Sequence, residues 1–171
     1  MEREVVAYPD PVLLRETKKI TEITPEIRAL AKDMVETMYA KDGVGLAATQ
    51  VGETWRLAVV DVSGPKERSS LISLVNPEII EAGGEVESEE RCLSVPGFQA
   101  KFKRAEKIKV RAQDLDGKEF VIDAEDLLAI CLQHEIDHLD GRLILDRSSR
   151  LKRSFYDKKI QKWLKRQKRS E

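Results

Sequence analysis

Histidine and cysteine are scarce in this sequence, with two of each among 171 residues. Cys92 and Cys131 are too few for a disulfide framework. The N-terminus, MEREVVAYPDP, has acids and no apolar segment, so it does not read as an export signal, and the two cysteines read as reduced thiols of a cytoplasmic protein. No run of eighteen apolar residues occurs, which predicts no spanning helix and no membrane partner. Glycine is also sparse, and three of the nine fall within residues 43–52. Hydrophobic residues at 41% and charged residues at 36% describe a globular chain, and at this length one domain over 1–171 is the economical reading.

The scarcity gives the two histidines their weight, because both lie in one stretch, LLAICLQHEIDHLDG. His134 and His138 are four apart, which on an α-helix places them on one face, able to bind a single metal ion. Glu135 stands beside the first histidine, within reach of a water that such an ion activates. The plain alternative is a polar helix face with two solvated histidines. Asp123 is the expected N-cap, with Glu125 and Asp126 in the first turn and Gly141 at the C-terminal end. Leu127, Ile130, Cys131, His134 and His138 recur at spacings of three and four, so the histidines are expected on an apolar stripe.

Upstream, residues 1–22 read as an irregular arm. Thr24 and Pro25 open a helix whose stripe is Ile27, Leu30, Ala31, Met34, Val35 and Met38, ending by Lys41-Asp42-Gly43. The segment GVGLAATQVG follows a helix and lacks the phosphate-loop lysine, so it reads as a loop that brings backbone against a ligand. Gln50 in that loop can donate to a developing oxyanion, although alone it reads as an ordinary loop glutamine. Strands are predicted at 55–62, 71–75, 78–82, 107–113 and 119–122, the last two joined by an Asp116-Gly117 turn. Strands that precede the helix without alternating with helices predict an α+β fold of mostly antiparallel sheet.

A histidine pair needs a third ligand. Asp140 and Asp146 are available downstream, and Cys92 in EERCLSVPG is the stronger choice because a thiolate is an anionic, soft ligand. Two histidines and one cysteine leave a fourth position open, the mark of a catalytic site; by ligand chemistry this set would hold Zn²⁺. The chain is also polarised in charge. Arg147 to Glu171 carries eleven Lys/Arg against two Asp/Glu, about +9, leaving about −10 upstream. A basic tail on an acidic body suggests a polyanionic partner.

Together, GVGLAATQ at 43–50, ERCLS at 90–94 and QHEIDHLDG at 133–141 resemble the three signature motifs of the peptide deformylases, in order and spacing. The resemblance implies mostly antiparallel sheets around a central metal-binding HExxH helix, with a C-terminal helix. It implies hydrolysis of the formyl group from N-terminal formyl-methionine of nascent polypeptides. Cys92, His134 and His138 match the family's metal ligands and Glu135 its general acid/base. Gln50 and the Leu93 backbone N–H match its oxyanion donors, and Val44 and Gly45 its peptide-binding backbone. Leu127, Ile130 and Cys131 match its methionine pocket. The implied ion is Fe²⁺, with Zn²⁺, Ni²⁺ or Co²⁺ able to replace it. A basic C-terminal helix, about 151–168, is implied to dock on ribosomal RNA near the tunnel exit. One departure stands out: Arg91 occupies the motif's usual glycine. Glu90 is expected to pair with Arg104 and steady the cysteine strand. The rival readings are a zinc endopeptidase, disfavoured by the upstream cysteine, and a non-enzymatic RNA-binding module.

Overall fold

In a computed structural model, which describes residues 1–170, the first long helix begins where its capping residues require. Thr24 Oγ1 accepts from the Ile27 N–H at 3.3 Å, and Pro25 opens helix α1, Pro25–Ala40. Ile27, Leu30, Ala31, Met34 and Met38 are buried along one face, as the spacing predicts. The arm before it holds a single 3₁₀ turn at Pro11–Leu14 and straps two distant loops together. Val6 N–H donates to the Gln50 carbonyl and Tyr8 N–H to the Ser94 carbonyl, each at 2.8 Å.

Strand β1 (Gly45–Ala47), a 3₁₀ turn (Ala48–Val51) and β2 (Leu57–Val60) come next, then a single-turn helix α2 (Gly64–Glu67) and the long β3 (Ile72–Gly83). A hairpin follows, β4 (Val86–Arg91) with β5 (Gln99–Arg104), and then β6 (Lys107–Gln113) and β7 (Glu119–Glu125). The chain closes with α3 (Asp126–Leu139), the short α4 (Ile144–Arg147) and α5 (Arg150–Arg169). The five-stranded sheet has order β1-β2-β3-β6-β7 with every pair antiparallel, and β4–β5 form a separate antiparallel ribbon. This mixture of helix and antiparallel sheet is the class that the strand pattern predicts.

Alternation within the strands feeds two cores. Leu57 and Val59 of β2 join Leu46, Val75 and the α1 stripe on one face of the sheet. Ala58 and Val60 face the other way, joining Ala47, Leu74, Ile108 and Val110 against Ala129, Leu132, Ile136 and Leu139 of α3. A third cluster under the hairpin holds Phe98, Phe102, Leu143, Ile144 and Tyr156, and so ties α5 to the body.

Several expectations need correction. The segments 71–75 and 78–82 are one strand, broken in register between Val75 and Glu78. There Asn76 has φ 53° and its side chain bonds both Ile20 N–H (2.7 Å) and Ile20 carbonyl (2.8 Å), filling the irregularity. The strand expected at 55–62 is only Leu57–Val60. Asp123 is not a helix cap: it lies opposite Lys109 in the β6–β7 ladder, and α3 starts at Asp126 after Glu125. Gly141, at φ 75°, does sit just past the end of α3, where a Cβ would come within 2.7 Å of the Leu14 carbonyl oxygen.

Candidate metal centre

The apolar side of α3 is held against the sheet, so its opposite shoulder presents His134 and Glu135 to a cleft, with His138 1% exposed beneath them. The two imidazole centroids lie 5.0 Å apart. Beyond β4, a turn closed by Val95 N–H donating to the Cys92 carbonyl at 3.0 Å swings Cys92 over the helix. Its Sγ stands 3.3 Å from His138 Nε2. One ligand atom from each of Cys92, His134 and His138 lies within 4.8 Å of the others, the one such trio found among the described residues. The carboxylates that might have replaced the thiol are engaged elsewhere: Asp140 with Arg56 at 2.8 Å, and Asp146 with Arg153 at 2.6 Å.

A chain of buried charges supports the trio from behind. His134 Nδ1 lies 2.9 Å from Glu90 Oε1, which leaves Nε2 for the cleft. Arg104 grips Glu90 with Nε and Nη2 at 2.9 and 2.8 Å, and its Nη1 reaches Asp137 at 2.6 Å. Arg147 closes on Asp137 from the far side. Burial alone would raise the Glu90 carboxyl, but the hydrogen bonds from Arg104 and His134 outweigh it and hold the group at about 2. Burial likewise opposes charge on His134, yet its bonds to Cys92 and Glu90 raise it well above the usual histidine value. Burial and the neighbouring His134 keep His138 neutral, well below that value.

These groups fit a metal ion. Cys92 Sγ and His138 Nε2 face each other at 3.3 Å, and Glu135 Oε2 is buried without a protein partner, an atom that is costly to leave unsatisfied. Cys92, Glu90 and Glu135 make the surroundings of His134 electronegative enough to favour a proton on its ring, and the same field favours a cation seated between the ligands. One sulfur and two imidazole nitrogens suit a divalent transition metal and leave a coordination position free.

Glu135 is 5% exposed, and burial pushes its carboxyl up to about 7 against the pull of His134 and Arg104. Gly45 makes room for it, since a Cβ on that residue would meet Glu135 Oε1 at 2.7 Å. Gln50 is fixed by its own amide. Its Oε1 accepts from Ala47 N–H at 3.0 Å, so Nε2 points at Ser94 Oγ (3.2 Å) and Cys92 Sγ (3.7 Å).

The cleft is about 680 Å³ and also takes in Val44, Leu93, Ile130 and Cys131. Leu127, Ile130 and Cys131 line the cleft as the stripe predicts; Leu127 is 50% exposed at the mouth, and Cys131 alone of the three also joins the sheet-side core. Apart from the alternative ligands Asp140 and Asp146, the site residues expected from the sequence border this space, with His138 buried beside it in the trio. What sequence reasoning missed is Asp137 with Arg147, and Ser94 as a partner of Gln50. Asp137 falls inside the His-Glu-x-x-His segment, where its burial could not be read.

Comparison with known proteins agrees with the geometry. A family model for polypeptide deformylase matches residues 2–154. A peptide deformylase of Thermodesulfovibrio yellowstonii is 50% identical over 157 residues, covering 92% of this chain and 95% of the relative. The crystal structure of a peptide deformylase from Legionella pneumophila superposes with a TM-score of 0.90 at 44% identity, covering 99% of each chain. That of Ehrlichia chaffeensis peptide deformylase in complex with actinonin gives 0.86 at 38% identity, covering 94% of this chain and 96% of that one.

Proposed function

The chain belongs to the polypeptide deformylase family and is an enzyme, and from that premise we propose that it removes the formyl group from the N-terminal formyl-methionine of nascent polypeptides, releasing formate. The observation that carries the reading is the convergence of Cys92, His134 and His138 beside a buried Glu135. Residues 1–171 act as one catalytic domain built around the HExxH helix α3, with α5 as a basic appendage. Cys92, His134 and His138 hold one divalent ion, Fe²⁺ natively, with Zn²⁺, Ni²⁺ or Co²⁺ able to substitute. Such an ion supplies Lewis acidity, making water a nucleophile near neutral pH and polarising the formyl oxygen.

The chain's own residues do the rest. A formyl-methionyl peptide lies extended along the free edge of β1, pairing with backbone groups of Val44 and Gly45 as an added strand. The methionine side chain enters the wall of Leu127, Ile130 and Cys131. Glu135 takes a proton from the attacking water as the new C–O bond forms. Gln50 Nε2 and the Leu93 N–H donate to the oxygen that gains charge. Glu135 then passes the proton to the amine nitrogen as the C–N bond breaks, and formate leaves. Work on nascent chains places the enzyme in the cytoplasm, where α5 docks it to ribosomal RNA near the tunnel exit. Among the described residues no helix is long and apolar enough to cross a membrane.

Formate release from a formyl-methionyl peptide by Fe²⁺-loaded protein, kept anaerobic, tests the reading. Glu135→Gln should retain the metal and bind actinonin while turnover falls about 10²–10⁴-fold. Near-normal turnover in that variant would remove Glu135 from its role.

A further inference from the structure

The cleft contains one Lys or Arg side chain, Arg91, and it stands where the related motif carries glycine. Arg91 ends β4, directly opposite Gln99 of β5 and immediately before Cys92. Its φ is not left-handed, so the backbone there accepts a side chain without strain. Burial alternates along β4: Glu90 turns inward to Arg104, and Glu89 and Arg91 face outward together.

The outward pair is organised by Gln99. Its Oε1 accepts from Arg91 Nε at 2.9 Å and its Nε2 donates to Glu89. Glu89 thus has a partner already, whereas among the described residues no carboxylate lies within ion-pair distance of Arg91. The guanidinium is held by one nitrogen with its two terminal nitrogens uncommitted, the fork that suits a carboxylate.

A peptide whose reacting end lies at Cys92 and whose chain follows β1 must leave between β1 and the end of β4. It passes Arg91 close to that reacting end. We propose that Arg91 sets the peptide preference of this enzyme by pairing with an acidic side chain at the second or third residue of the formyl-methionyl substrate, with Gln99 as its positioning residue. The inference rests on the deformylase reading and goes beyond it to the sequence of the substrate. Opposing charge is present at the rim in Asp42 and Glu89, so the sign of the preference is a real test.

The experiment compares metal-loaded wild type, Arg91→Gly, Arg91→Glu and Gln99→Ala. The probes are formyl-Met-X-Ala and formyl-Met-Ala-X peptides with X as Glu, Gln or Lys. At low salt the wild type should favour the Glu over the Lys peptide by about two- to fivefold in kcat/KM, the range that an exposed ion pair supplies. The difference should lie in KM, since the pair forms equally in ground and transition states. It should shrink in Arg91→Gly and Gln99→Ala, reverse in Arg91→Glu, and fade at about 1 M salt. Equal rates on Glu and Lys peptides, a Lys preference, or a Glu preference that survives in Arg91→Gly overturns the inference alone. Formate from none of the peptides overturns the deformylase reading and this inference with it.

Discussion

At the scale of single residues, Gly45 and Glu135 constrain each other. The Glu135 carboxyl occupies the space that any Cβ on residue 45 would fill, 2.7 Å from its Oε1. Gly45→Ala should therefore displace the proposed base while leaving Cys92, His134 and His138 in place. A misplacement of about 1 Å typically costs on the order of 10²-fold in rate, so kcat should fall by that order with metal content unchanged. Unaltered kcat would mean that Glu135 has slack. The same carboxyl predicts a stability profile in protein stripped of metal. Burial raises it from 4.5 to about 7, so between those values the folded chain holds a proton that the unfolded chain has released. Stability then falls as pH rises through that window. Glu135→Gln removes the titration. Urea unfolding of the chelated proteins should show wild type losing about 3 kcal/mol relative to Glu135→Gln between pH 4 and 8. Parallel profiles would contradict the assignment.

The ribbon β4–β5 presents Glu90 and Arg104 to α3, and the chain Arg147–Asp137–Arg104–Glu90–His134 fixes the angle at which the first histidine meets the cleft. Arg104→Ala leaves Glu90 with His134 and Asp137 with Arg147 but removes the buried cation between the two carboxylates, which should cost about 3–5 kcal/mol of stability and weaken metal retention about 10–100-fold. Chelator competition reads the second effect, and unaltered retention would contradict it. This ribbon is also where the sequence was least legible. In β4 the inward positions are Ser88 and Glu90, so the usual apolar–polar alternation is erased by the very residues that support the site. β1 was hidden for another reason, being three residues inside a glycine-rich segment. By contrast α1 and α3 were legible, because a helix with an apolar stripe carries its own period. Only the start of α3 was misplaced, since Asp123 and Glu125 serve the β7 ladder opposite Lys109 and Lys107 as readily as a helix cap. His134, Glu135 and His138 could be read from spacing alone; Cys92 was preferred to Asp140 and Asp146 on thiolate chemistry, and in the fold both aspartates are engaged by arginines instead.

The whole molecule is an acidic body with a basic helix held to it along its first half, by Tyr156 and Ile160 and by the Tyr8–Asp157 and Arg153–Asp146 contacts. Tyr156 is the buried residue of α5, packed on Phe98 with its hydroxyl on the Pro96 carbonyl at 2.8 Å. Beyond it Trp163 and Leu164 are exposed among Lys162, Lys165 and Arg166. Deleting α5 would strip these contacts as well as the charge, so charge reversal is the cleaner change. Lys162→Glu with Lys165→Glu and Arg166→Glu should abolish salt-sensitive co-sedimentation with ribosomes while formate release from short peptides persists. Co-sedimentation that survives the triple change would remove α5 from that role.

The claim on which the account turns is that Cys92 completes the site with His134 and His138. Its most direct measurement is metal content and formate release, side by side, in Fe²⁺-loaded wild type and Cys92→Ala under anaerobic conditions. Metal and activity should disappear together in the variant. Metal retained at the wild-type level without Cys92 would contradict it.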